Sequence, residues 1–351
     1  MRGRVILVIG IVLALSLGGV VSAQEVPMLP GAGGSAFGSY LNDQPPVIGE
    51  VVGVPATPKA GERVSVTAIV ANDMERTDDT TEKVSLYYST DGGKSWTEVK
   101  LEQGEEDETK WSGDIPGQSA GTKVVYYISA LDTAGNLATE MPGMNMVWPP
   151  VIDKQEPSKS SLPLLAVALK DDDDQEVQVP DGADFLTFAV GYNQEFLFGK
   201  LEVQGKITPG TLSPTSINAW GAVAINTDRS EDILKAGVAL LYAPLAKTVL
   251  GSMAGITKDY AVIDARIADS PHQVIPYDDC GADCVVIDKA LYWKFKRSLL
   301  GENPSNMVKF IGATAVLTAT EVSALLSGLA PYDATCYISA YLREHSYTVG
   351  K

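Results

Sequence analysis

The chain has 351 residues, 45% of them hydrophobic and 20% charged, and its 44 acidic and 27 basic residues give a net charge of −17. At roughly 150 residues per domain this length predicts about two packed domains. The acidic balance excludes nucleic-acid binding because the surface repels polyanions. Two histidines and three cysteines, with no HExxH, CxxC or haem-attachment motif, exclude most metalloenzyme classes.

The N-terminus has the pattern of a secretory signal peptide. Arg2 and Arg4 precede an almost unbroken apolar run over residues 5–21, and small residues lead up to Ala23. We expect cleavage after Ala23, so that residues 1–23 are removed; an uncleaved anchor is the alternative, because the run is about the minimum length that spans a bilayer. The mature protein is expected to have no membrane span and to be secreted, at the cell surface or in a periplasm.

Two polar, proline-punctuated segments divide the rest of the chain. Residues 24–46 are rich in Pro, Gly and Ser and cannot bury enough apolar area to offset backbone entropy, so we expect a tether. Residues 149–163 form a second break and are expected to be a linker. The predicted folded units are therefore residues 47–148 and 164–351.

In the first unit, apolar residues alternate with polar ones at a period of two. The alternation runs through residues 64–70, 84–88 and 124–130, which is typical of half-buried antiparallel strands. The Asp91-Gly-Gly-Lys94 sequence between two such runs predicts a hairpin turn. Strands at this spacing predict a two-sheet sandwich with Trp96 or Trp111 in its core.

The runs VSLYYSTDGGKSWTEV and GTKVVYYISALDTAGN, with WSGDIP between them, resemble fibronectin-III-like or immunoglobulin-like modules of exported prokaryotic proteins. The resemblance covers most of residues 47–140 and implies a spacer or interaction module without catalytic residues. The unit has no cysteine, so the inter-sheet disulfide of antibody domains is absent. The acidic run at residues 105–108 is expected to be a solvated loop in preference to a calcium site.

The second unit is also predicted to be mainly β, with one or two short helices. A threonine N-cap candidate and a late glycine predict one helix over residues 320–329. The fold class expected for the whole chain is therefore all-β, with two tandem sandwiches. The predicted strands cover residues 185–190, 195–203, 219–225, 289–297, 308–317 and 335–342.

Three segments of the second unit, DFLTFAV from Asp184, EFLF from Glu195 and LYWKFKRSLLG from Leu291, resemble the sandwich modules of the carbohydrate-binding family 9 and DOMON type. The resemblance spans about two thirds of residues 181–351. It implies binding of a sugar or of b-type haem, and no hydrolysis.

Aromatic side chains are the candidates for sugar binding, because flat rings pack against the apolar C–H patches of pyranoses. Core packing is the competing interpretation for each of them. The candidates are Trp293, Trp220, Tyr242 and Tyr192.

Metal and haem sites have weaker signals. A haem site needs an axial pair around an apolar cavity, and His272 or His345 with Met253 or Met307 supplies the residue types without a spacing rule. The acidic run at residues 171–174 offers oxygen ligands for calcium but lacks the spacing of a known loop, so a solvated connector is preferred.

The cysteines are the sharpest local feature of the second unit. Cys280 and Cys284 bracket a three-residue, glycine-containing turn, and in an oxidising compartment this spacing predicts a small disulfide loop. Cys336 is left over or replaces one of them. Free thiols and a redox or metal site are the alternatives.

No enzyme signature is present: the sequence contains neither GxSxG, a Walker loop nor a dinucleotide fingerprint. The sequence therefore predicts a secreted or cell-surface, non-enzymatic protein whose second sandwich binds an extracellular polysaccharide or a surface protein. A haem-binding electron-transfer module and a structural surface-layer or filament component are the alternatives.

Overall fold

The structure is a computed structural model of the chain. It describes residues 45–72, 80–151, 162, 166–169, 181–207, 216–226, 237–242, 244, 257–264, 273–301, 307–318, 333–334 and 338–351. The signal peptide, nearly all of the tether, most of the linker and the helix predicted over residues 320–329 lie outside these ranges.

The first unit consists of two sheets in an immunoglobulin-like arrangement. One sheet has the strand order β1-β2-β6-β5, which is the A-B-E-D order of immunoglobulin domains, and the order β8-β7-β3-β4 faces it. Its strands are β1 (Val47–Val54), β2 (Val64–Ala71), β3 (Thr81–Ser89), β4 (Thr97–Lys100), β5 (Glu102–Gln103), β6 (Lys110–Ile115), β7 (Lys123–Asp132) and β8 (Leu137–Glu140).

The core of this unit follows from the period-two pattern. Alternate residues of β2 are buried from Val64 to Val70, because successive side chains of a strand point to opposite faces of its sheet. They pack against β3 and β7 across the sandwich, together with Trp111. Of the two tryptophans predicted for this core, Trp111 is buried and Trp96 is half-buried.

The second unit is also a two-sheet sandwich. A five-stranded sheet has the order β16-β17-β11-β10-β9, and the facing sheet begins β15-β14-β13-β12-β18-β20. Its strands are β9 (Ala166–Leu169), β10 (Phe185–Tyr192), β11 (Phe196–Val203), β12 (Ser216–Asn226), β13 (Gly237–Tyr242), β14 (Tyr260–Asp264), β15 (Gln273–Val274), β16 (Asp283–Ile287), β17 (Ala290–Lys296), β18 (Met307–Thr318), β19 (Asp333–Ala334), β20 (Ile338–Tyr341) and β21 (His345–Thr348).

Helical structure in this unit is short. A one-turn helix, α1, spans Tyr277–Cys280, and a 3₁₀ helix, η1, spans Arg297–Leu300. No helix within the described ranges is long and apolar enough to cross a membrane. The prediction of an all-β fold with short helices is confirmed.

The two units share one sheet. Strand β20 pairs antiparallel with β18 of the second unit and parallel with β8 of the first unit. This junction joins the facing sheets of both sandwiches into a single twelve-stranded sheet. The first unit is therefore connected to the second by a hydrogen-bonded ladder as well as by the chain between them.

The C-terminus completes the first unit. Strand β8 covers only residues 129–131 of β7, and β21 pairs antiparallel with residues 123–126 of the same edge. Beyond β21, the buried Val349 exchanges backbone hydrogen bonds with Gly121 and Thr122, at 2.8 and 3.0 Å. We call residues 342–350 the C-terminal clasp.

Candidate functional site

The four aromatic candidates for sugar binding all lie inside the second sandwich. Their exposed fractions are 0% for Trp293, 3% for Trp220, 5% for Tyr242 and 6% for Tyr192. All four belong to the same hydrophobic cluster between the two sheets. Packing accounts for each ring, and none presents an open face on which a sugar could stack.

The alternation of β17 explains the position of Trp293. Leu291, Trp293 and Phe295 occupy the side of the strand that faces the core between the two sheets. The Trp293 ring stacks on Phe295 with centroids 5.6 Å apart. Its Nε1 has no hydrogen-bond partner in the described structure, so the indole is held by packing alone.

Of the two candidate histidines, His345 lies within the described residues and His272 does not. His272 lies outside the described residues, as do Met253 and the acidic run at residues 171–174. His345 lies on β21 with its ring stacked on Tyr126, at 5.2 Å between centroids. Its Nε2 is 2.9 Å from Oε1 of Glu140, so this nitrogen contacts a carboxylate and does not face an apolar cavity.

The buried Glu140 carboxylate is the centre of a polar cluster, which we call the anchor cluster: Glu140, Arg343 and His345. The Glu140 side chain is fully buried, and its Oε1 accepts a hydrogen bond from Nε of Arg343. The backbone N–H of Ile128 donates to its other oxygen at 3.2 Å. Arg343 also donates to the carbonyl oxygen of Gly49, at 2.8 Å, and so connects the clasp to β1. A buried carboxylate is stable only when it is paired in this way.

The two described cysteines are free, and the predicted disulfide between them is not formed in the structure. The sulfur of Cys280 is 3.6 Å from the carbonyl oxygen of Tyr277 at the end of α1, whereas Cys284 lies on β16 opposite Trp293. Burial raises the pKa of both thiols, and the neighbouring Asp283 raises that of Cys284 further. Such thiols stay protonated and are poor nucleophiles. Cys336 lies outside the described residues.

The hairpin between β3 and β4 has the turn that its glycines predicted. Gly92 and Gly93 have φ values of +76° and +85°, which L residues with side chains rarely adopt. Asp91 organises the turn, because its carboxylate accepts hydrogen bonds from the hydroxyl and N–H of Ser95 at 2.6 and 3.0 Å. Hydrogen bonds from Ser95, and then from Ser89, hold the pKa of Asp91 well below its ordinary value of 3.8.

This depressed pKa predicts a pH-dependent contribution to stability. The ionised Asp91 stabilises the folded state fully above about pH 3.8, and the contribution is lost as pH falls through the lower folded-state pKa. We expect Asp91→Asn to lower the urea midpoint at neutral pH by an amount that shrinks in acid, in denaturation curves from about pH 7 to about pH 2. Glu105→Gln on an exposed loop is the control; a loss that stays constant with pH would contradict the assignment.

A cleft of about 190 Å³ lies beside this hairpin, where the first unit, the chain leading into the second unit and the clasp meet. We call it the hairpin cleft. Its lining combines apolar side chains with one exposed ammonium and one exposed carboxylate group, on Lys123 and Glu344. The lining residues are Thr90, Gly92, Gly93, Trp96, Lys123, Val125, Pro142, Gly143, Met144 and Glu344.

Trp96 is the aromatic residue of the cleft. Its ring meets Tyr127 edge to face, with centroids 4.9 Å apart, and Tyr127 in turn stacks on Tyr87 at 5.0 Å. Gly93 lies against the ring: a Cβ there would be 3.4 Å from Trp96 and 3.9 Å from the Met144 sulfur. The half-buried indole is thus held against Tyr127, and the glycine at position 93 places no side chain between the ring and Met144.

Tyr192, one of the predicted sugar-binding residues, borders the cleft without lining it. The Tyr192 carbonyl accepts a hydrogen bond from the Met144 N–H at 2.9 Å, and its ring is about 4 Å from the position of a Cβ on Gly143. The Arg297 guanidinium lies 5.4 Å from the ring centroid. Burial raises the pKa of Tyr192 to about 12, so the phenol stays neutral.

The sequence interpretation missed Trp96 as a site residue, although its place directly after a glycine turn was visible.

Within the described ranges, no group of three or more His, Cys, Asp or Glu residues is arranged to hold a metal ion. The acidic run at residues 105–108 is exposed, and the Asp107 carboxylate accepts hydrogen bonds from Thr109 instead.

Comparison with known proteins gives no family for this chain. No family model matches it, and no curated protein matches it. Among solved structures, a superoxide reductase (neelaredoxin) from Ignicoccus hospitalis is 15% identical with a TM-score of 0.21, covering 27% of this chain and 75% of its own. A DUF4785 family protein from Legionella pneumophila is 8% identical with a TM-score of 0.20, covering 85% and 58%. The FN1–FN3 domains of chicken CNTN1 are 8% identical with a TM-score of 0.19, covering 88% and 69%. At these TM-scores the similarities carry no inference about function.

Proposed function

We propose that the chain is an exported, non-enzymatic binding protein and that the hairpin cleft holds part of an extracellular polymer, a carbohydrate in the first instance. The observation that carries the proposal is that one cleft is lined by the half-buried ring of Trp96 together with the exposed charged groups of Lys123 and Glu344. A sugar ring offers apolar C–H patches to an indole, and its hydroxyls both accept from an ammonium and donate to a carboxylate.

The size of the cleft supports one ring or a similar small group as its occupant. At about 190 Å³ it is smaller than the roughly 300–1,000 Å³ of pockets for drug-sized ligands. A single unit of a longer chain fits this volume, with the rest of the polymer outside. Export is supported by the leader sequence at residues 1–23.

The proposed site lies at a different place from the one that the sequence favoured. Sequence reasoning assigned ligand binding to aromatic residues of the second sandwich, with the first unit as a spacer. The proposed cleft takes its hairpin and β7 from the first unit, and Pro142, Gly143 and Met144 from the chain that follows β8. The first unit is thereby a binding element in this proposal.

Replacing the ring of Trp96 tests the proposal. We expect Trp96→Ala to weaken retention by a matching soluble polysaccharide about 30-fold, equivalent to about 2 kcal/mol for truncating an aromatic anchor. Trp96→Phe keeps a ring and is expected to keep most of the affinity. The measurement is affinity electrophoresis of residues 24–351 against a polysaccharide panel, followed by calorimetry on the best ligand.

Lys94→Ala is the matched control, because Lys94 is exposed on the same hairpin and does not line the cleft. Melting curves of each variant separate loss of the ring from loss of folding. Wild-type retention by a correctly folded Trp96→Ala variant would overturn the site. If no polysaccharide retains the protein while a surface protein does, the carbohydrate proposal is replaced by the protein-binding alternative.

A further inference from the structure

Glu344 in the wall of the hairpin cleft is positioned by its two chain neighbours. Arg343 and His345, on either side of it, both contact the buried carboxylate of Glu140. The Glu344 side chain itself is exposed, and it lines the cleft as part of the clasp. The place of this carboxylate in the cleft therefore depends on the anchor cluster.

The clasp also supports the opposite side of the cleft. Strand β21 pairs with the part of β7 that supplies Lys123 and Val125 to the lining, with Thr348 opposite Lys123 and Ser346 opposite Val125. The pairing of β7 with β3 ends at Val125, which lies opposite Ser89. Residues 123 and 124 of β7 therefore depend on β21 for a paired strand. Detaching the clasp therefore removes Glu344 from the lining of the cleft. It also leaves the backbone of β7 unpaired on this edge beside Lys123 and Val125.

From this arrangement we propose that docking of the C-terminal clasp and binding in the hairpin cleft are coupled, so that the final strand acts as a strap that ligand binding tightens. The coupling between clasp and cleft is inferred from the pairing of β21 with β7 and from the contacts of the anchor cluster. The tightening of the clasp by a ligand rests on the proposed function.

The coupling follows from linkage. A ligand that binds only the clasp-docked form stabilises that form by RT ln(1 + [L]/Kd), and by reciprocity any change that releases the clasp lowers the apparent affinity by the docked fraction. Strand β21 is suited to this behaviour because it has only four residues, paired with residues 123–126 of β7, so that few backbone hydrogen bonds must break for it to open.

The first arm of the test needs no ligand. Arg343→Met in the full chain removes the cationic partner of Glu140, and we expect amide hydrogen exchange to accelerate about tenfold or more in residues 345–349 and in residues 123–125 together. Arg63→Met is the matched control, because Arg63 pairs with Asp114 on the surface at 2.9 Å. Faster exchange in the clasp with unchanged exchange in residues 123–125 would overturn the coupling.

The second arm adds cellohexaose, xylohexaose or chitohexaose as the probe, used at about ten times its measured Kd. Exchange of residues 345–349 is then expected to slow about tenfold in the wild-type protein, and Arg343→Met is expected to bind the probe more weakly than Arg63→Met. A probe that binds without slowing exchange in the clasp overturns the strap. If no oligosaccharide binds, the proposed function fails, and the first arm alone decides whether clasp and cleft are coupled.

Discussion

Removing residues 343–351 is expected to lower the free energy of unfolding by about 3–5 kcal/mol. Among the described residues, the deletion leaves the fully buried Glu140 carboxylate with the Ile128 N–H as its remaining partner, and loss of one side of a buried ion pair has this cost. It also exposes the edge of β7 that β21 covers and the pocket of Val349. Urea denaturation followed by tryptophan fluorescence and far-UV circular dichroism measures the effect.

Deletion of Lys351 alone is the control, since this residue is exposed and follows the last backbone hydrogen bond of the clasp, from the Gly350 N–H to Pro58. We expect it to leave the urea midpoint unchanged. A Glu140→Leu substitution within the shortened chain should recover part of the loss, because it removes the unpaired charge without restoring the strand. A nine-residue deletion as stable as the wild type would show that the clasp does not contribute to the first unit.

Trp293→Ala is the second substitution with a large expected effect, a loss of about 3–5 kcal/mol, because it opens a cavity where Phe188, Phe295 and Phe310 surround the indole. Trp293→Phe is expected to cost less than about 1.5 kcal/mol, since the indole N–H that it removes has no hydrogen-bond partner in the described structure. Chemical denaturation of both variants checks the ratio.

The same pair of variants separates packing from ligand binding. If Trp293 belongs to the core alone, Trp293→Phe retains polysaccharide as the wild type does. A folded Trp293→Ala variant with wild-type stability and no retention of polysaccharide would instead return this residue to the binding site.

Local features of the fold were predictable from the sequence. The alternation in β2, β3 and β7 depends only on which residues face the core, and the Asp91 turn depends on two adjacent glycines with positive φ. Strand β17 was also predicted, but the pattern could not decide whether the side of the strand that carries Trp293 met a second sheet or solvent, and so Trp293 was a candidate for both roles.

Long-range pairings were not predictable in the same way. The contacts of β20 with β8 and of β21 with β7 join segments separated by the whole second unit, and short apolar runs do not encode their partners. The hairpin cleft depends on these contacts, because Glu344 reaches it only through the clasp. The sequence therefore identified the hairpin that carries Trp96, but not the wall opposite it.

The pairing of β21 with β7 has a consequence for biosynthesis. Chains leave the ribosome from the N-terminus, and domains generally fold as they emerge. The first unit of this protein has strands β1–β8 available early, but β21, which completes the edge of β7, is made only after strands β9–β20 of the second unit. The first unit is made first but completes its sheet only once β21 has been made. Until then, the open edge of β7 is a template for pairing with other chains. Protection by a chaperone matters most in that interval.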